Sequence, residues 1–106
     1  MKMESQLLED NQIKITCTGK YKPQRDRMVF KNFFCSTLSQ NPNSKSVVVS
    51  FEQPNIDMNI LGLLLKYIQI DGYEIHLLVL HYSCFRMLED LYLVEKFNVK
   101  YQKVSV

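Results

Sequence analysis

Residues 46–97, SVVVSFEQPNIDMNILGLLLKYIQIDGYEIHLLVLHYSCFRMLEDLYLVEKF, read as strand, loop, helix, strand, helix. Val47, Val48, Val49 and Phe51 form an apolar, largely β-branched run of the kind expected where both faces of a strand are covered. Ile75, Leu77, Leu78, Val79 and Leu80 repeat that character. Between the two runs, Ile60, Leu61, Leu63, Leu64, Leu65, Ile68 and Ile70 make a helix apolar nearly all round, so it must be covered on more than one side. Asp71-Gly72 closes it. A strand, helix and strand in this order form a right-handed crossover with the strands parallel, which places Ser46 to Glu52 as a central strand.

Outward from this unit, Ile13, Ile15 and Cys17 alternate with Lys14, Thr16 and Thr18, marking a half-buried strand. Asp10-Asn11 can turn the chain back from an earlier short strand around Ser5 to Glu9, so a hairpin is expected to open the fold. Pro23 discourages helix up to that point. From Arg25, the apolar residues Val29, Phe30, Phe33, Phe34 and Leu38 recur at three- and four-residue steps, predicting an amphipathic helix. A polar turn at residues 39–44 leads into the central strand. Ser83 is placed to start a helix running to Phe97. A last edge strand is expected from Val99 towards Val104. The fold class these elements define is α/β.

The chain has 106 residues, 46% hydrophobic and 23% charged, which fits one folded domain over residues 1–106. A net charge of +2, with scattered Lys and Arg, argues against nucleic acid as a partner. Lys20, Lys22, Arg25 and Arg27 cluster, and are expected as a solvated loop and helix start, with phosphate or an acidic partner as the alternative. The segment MKMESQLLED lacks the apolar stretch of a signal peptide, and the longest apolar run, Ile60 to Leu65, is far short of the roughly 20 residues of a membrane span. A cytoplasmic location without membrane insertion is the expectation. Three cysteines with no CxxC spacing suit reduced thiols.

The loop Asn55-Ile56-Asp57-Met58-Asn59-Ile60-Leu61-Gly62, set in this order of elements, resembles the STAS domain of bacterial anti-sigma factor antagonists. The family loop reads Asp-Ser-Ser/Thr-Gly-Leu-Gly. Asp57, Leu61 and Gly62 keep their places, whereas Met58 stands where the family has its phosphorylatable serine, Asn59 follows it, and Ile60 replaces the first glycine. The resemblance implies a STAS-like mixed β-sheet of four to five strands with helices mainly on one face. It also implies a protein-binding module whose partner surface includes Asn55, Asp57, Met58, Asn59, Leu61, Gly62 and Leu65. The implied partner is a switch kinase acting as the anti-sigma factor, or alternatively a transporter ATPase bound by a STAS-like subunit. A homodimer is left open. Without a hydroxyl at position 58, the usual phosphoswitch is not expected.

From the residues alone, Asp57 can cap the following helix by accepting a backbone N–H near Asn59 or Ile60. Met58 is equally suited to a partner's pocket or to the domain's own core. A phosphoaccepting Asp57, as in receiver domains, fails on spacing and lacks an acidic pair for Mg²⁺. Cys84, near a helix start and close to His81, is the alternative thiol nucleophile; a phosphatase loop would need arginine where Asp90 stands. His76 is expected to meet a helix residue or a backbone carbonyl, and His76 and His81 lack metal-pair spacing. No catalytic, cofactor or metal site is expected.

Overall fold

The computed structural model describes residues 1–103. Its elements run β1 (Lys2–Leu7), β2 (Ile13–Thr18), α1 (Pro23–Gln40), β3 (Ser46–Phe51), α2 (Met58–Gln69), β4 (Glu74–Val79), α3 (Tyr82–Asp90) and β5 (Lys100–Tyr101). They form an α/β fold: one mixed sheet of five strands in the order β1-β2-β3-β4-β5, with three helices on one face. β1 is antiparallel to β2, and every later pairing is parallel. A strand order that advances steadily through right-handed crossovers puts each crossover helix on the same side. The helices therefore share a face, and their N-termini gather at the carboxyl ends of the strands.

The covered face is built in three rows set by the register. Ile13, Val47 and Ile75 align, then Ile15, Val49 and Leu77, then Cys17, Phe51 and Val79, all buried. Phe30 and Phe34 of α1 stack on each other at 5.6 Å between ring centroids, and Phe30 continues onto Phe51 at 6.1 Å. Phe34 also meets Tyr67 of α2 at 5.0 Å, so one aromatic row joins two helices to the central strand. Burying each side chain of this size contributes roughly 1.5–3 kcal/mol.

The opposite face differs from what the apolar run in β3 suggests. Val48, His76 and Leu78 point there and are half-buried, with no helix above them. Their apolar character covers a face that is only partly wet, and does not mark a second helical layer. His76 accordingly meets no helix; its Nε2 lies 2.9 Å from Glu74 Oε1, two residues away on the same face.

Element ends depart from the expectations for local reasons. β1 begins at Lys2, earlier than Ser5, and the turn after it closes through Leu8 N–H to Gln12 O at 2.8 Å, with Asn11 in the left-handed region. α1 begins at Pro23 itself, because a proline in the first helical turn lacks only a donor that would have been unpaired there. Asp26 Oδ2 accepts the Lys22 N–H at 2.7 Å and steadies that start.

α3 stops at Asp90, short of Phe97. Tyr92 adopts φ +58°, and the N–H groups of Tyr92 and Leu93 return to the carbonyls of Glu89 and Leu88. That pair of bonds is a Schellman stop with tyrosine where glycine is usual. A second such turn has Asn98 at φ +45°, with Asn98 and Val99 bonding back to Glu95 and Val94. It aims the chain into β5. Of the expected last strand, Val104 lies outside the described residues.

Candidate functional site at the carboxyl end of the central strand

β3 ends at Phe51, and residues 52–57 lead to α2. Ile56 is buried and anchors the middle of this loop. Gln53 is also buried, and its Nε2 donates to Gly19 O at 2.6 Å, joining the loop to the end of β2. Gly19, at φ +82°, in turn donates its N–H to Glu52 Oε2 at 3.2 Å. Gln53 Oε1 has no hydrogen-bond partner among the described residues. On the far side, the Ser83 hydroxyl donates to Pro54 O at 3.2 Å. Ser83 therefore does not cap α3, whose N-cap is His81 without a side-chain bond.

Asp57 is the hub of the site. Its Oδ1 accepts the Asn59 backbone N–H at 2.8 Å and Asn59 Nδ2 at 3.0 Å. Its Oδ2 accepts the Tyr21 hydroxyl at 2.6 Å and Arg27 Nε and Nη2 at 3.1 and 3.0 Å. The carboxylate thus caps α2 and ties it to the β2–α1 loop and to α1. Burial alone would push the Asp57 carboxyl up, but Tyr21, the Asn59 N–H and side chain, and Arg27 outweigh it and hold the group well below 3.8. The same contact works in reverse on Tyr21, whose hydroxyl is pushed up to about 12 by burial and by the neighbouring Asp57 charge. Such a carboxylate stays ionised across the physiological range.

The residues expected at a partner surface separate into two groups. Asn55, Met58 and Asn59 are exposed, and Met58 shows 60% of its surface. Gly62 and Leu65 follow on α2, both half-buried. Asp57 has 9% of its side chain accessible, and Leu61 has 1% of its surface, so Asp57 acts by fixing the loop and Leu61 by packing into the core. Met58 therefore does not fold into the domain's own core.

The contacts made by Tyr21, Arg27, Gln53 and Ser83 carry no signal in the sequence, because their partners lie 29 to 36 residues away. Arg27 and Arg25 are not simply solvated: Arg27 is bound to Asp57, and Arg25 Nε pairs with the buried Asp26 at 3.1 Å.

Cys84 is buried, and burial pushes its thiol up to about 11; the buried Cys17 is pushed to about 12. Both shifts run opposite to the activation a nucleophilic thiol needs. Among the described residues, no three His, Cys, Asp or Glu side chains are grouped to hold a metal ion, and no helix is long and apolar enough to cross a membrane. Compared with known proteins, the chain matches no family model, no curated protein and no solved structure.

Proposed function

We propose that this protein is a non-enzymatic protein–protein interaction module of the STAS type, an adaptor resembling anti-sigma factor antagonists but without their serine phosphoswitch. The observation that carries this is the exposure of Met58 on a rigidly capped helix start, at the end of the sheet where α/β folds present their contact loops. An exposed Met58 between the buried Ile56 and Ile60 supports a contact surface here, since methionine is enriched in interfaces. Five hydrogen bonds to Asp57 fix the loop in advance, which lowers the ordering cost of association. With no charge acquired at position 58, the surface stays binding-competent, and the implied partner is a switch kinase.

Affinity purification of the tagged protein from its host identifies the partner, and calorimetry with that purified partner tests the surface. Met58→Glu places an unpaired charge in a desolvated contact and should weaken binding at least about tenfold. Equal affinities for the two proteins would remove the loop from the interface. Recovery of a transporter ATPase in place of a kinase would change the partner and leave the surface to the same measurement.

A further inference from the structure

Beside the Asp57 loop, α1 and α2 leave a groove between them of about 260 Å³. Phe30 and Ile60 form its buried floor, Met28 and Leu63 its apolar walls, and Lys31 and Lys66 stand on opposite rims. Met28 is 58% exposed and leaves its thioether open to the groove. Neither Lys31 nor Lys66 takes part in an ion pair among the described residues, whereas Arg25 and Arg27 are matched by Asp26 and Asp57. The two helices offer no exposed carboxylate: α2 contains no acidic residue, and the one in α1, Asp26, is 2% exposed.

We propose that this groove binds an acidic amphipathic helix of a partner protein, its apolar face against Met28 and Leu63 and its carboxylates against Lys31 and Lys66. The proposal rests on the chain being a binding module and adds the chemistry of what is bound. A recess between two helices with flexible thioether lining suits a helix laid along it, since methionine adapts to the partner's side chains. Two unmatched ammonium groups across a narrow groove favour carboxylates on both flanks of that helix. A flat lipid surface would leave the recess unfilled. Single-stranded RNA would need exposed stacking rings, and the aromatic residue at the groove, Phe30, is fully buried.

The test titrates the full chain into a labelled peptide of about 18 residues, built from Leu, Ala and Glu with leucines at three- and four-residue steps, by fluorescence anisotropy. Saturable binding is expected, weakened about tenfold or more by Lys31→Glu/Lys66→Glu and severalfold by Lys31→Gln/Lys66→Gln, with helix content checked by circular dichroism. The same charge change at Lys96→Glu/Lys100→Glu, exposed positions outside the groove, should leave peptide affinity within about twofold, and the loop surface is judged separately by the partner calorimetry, so the two failures are told apart. The same peptide with Lys for Glu should not bind. The proposal is overturned by no saturable binding, by affinity indifferent to both lysine pairs, or by equal binding of the Lys peptide. Binding of anionic phosphatidylglycerol vesicles or oligouridylate in place of the acidic peptide would overturn it as well.

Discussion

The Tyr21 hydroxyl donates to Asp57 Oδ2 at 2.6 Å, and through this bond the loop after β2 holds the first turn of α2 in place. The acceptor is a mostly covered carboxylate, so the bond is charge-assisted and stronger than a neutral one. Tyr21→Phe keeps the ring and removes the donor. It should cost about 1.5–3 kcal/mol in urea unfolding, whereas Arg27→Met, at a half-exposed guanidinium screened by solvent, should cost less. A larger loss from Arg27→Met than from Tyr21→Phe would reverse this ranking.

Acid should unfold the protein over a definable window. Asp57 and Asp26 both sit below their ordinary value of 3.8 when folded, Asp26 at about 2 through Arg25, the Lys22 N–H and the Met1 amino group. For a lowered carboxyl, the folded state binds fewer protons than the unfolded one. The stability it contributes is complete above the unfolded value and drains away as pH falls through the folded value. Urea midpoints should hold steady down to about pH 5 and fall between about pH 4 and 2. Asp57→Asn should lower the plateau and make that fall shallower. A variant with the same acid slope as the parent protein would show that Asp57 is not the proton acceptor responsible.

The layout of the chain could be read from local pattern. Alternation at Ile13, Ile15 and Cys17, the apolar run of β3 and the Asp57 cap each depend on neighbours a few residues apart, so the α/β class, these strands and the helix cap were legible there, whereas the mixed sheet with helices on one face was implied by the STAS resemblance alone. Features set by distant contacts were not. Nothing near Tyr21 or Gln53 in sequence points to Asp57 or Gly19, and Val48 and Leu78 look like core residues although no helix covers them. The end of α3 was hidden for a different reason. Its periodicity continues past Asp90, and only a backbone reversal at a tyrosine stops it.

That reversal is itself testable. Tyr92 is 92% exposed and occupies φ +58°, where an L side chain costs roughly 1–2 kcal/mol and no packing compensates. Tyr92→Gly relieves the strain but adds about 0.5–1 kcal/mol of unfolded-state entropy. The balance runs from about zero to a gain of about 1.5 kcal/mol, seen as a Tm that holds or rises by several degrees. A fall in Tm would mean that the ring makes a stabilising contact despite its exposure.

The three cysteines should divide by accessibility. Cys35 is exposed, while Cys17 and Cys84 are buried with thiols pushed up to about 12 and 11. A disulfide reagent at neutral pH should label one thiol in the folded protein and all three in denaturant. Prompt labelling of Cys84 in the folded chain, lost in Cys84→Ser, would instead support a reactive thiol at the start of α3.

Gly62 lies inside α2, where glycine costs roughly 0.5–1 kcal/mol relative to alanine, yet a Cβ built there meets nothing within 4 Å. Neither the backbone conformation nor internal packing therefore requires it. Met58 lies four residues before it and Leu65 three residues after it, so the three share one helix face. If a partner approaches that face closely, Gly62→Ala should raise the Tm of the free protein while lowering affinity for the partner severalfold. The two effects have opposite signs and separate a glycine kept for contact from one kept for folding. Higher Tm with unchanged affinity would move the docking face off this side of α2, and lower Tm would point to a structural demand at position 62.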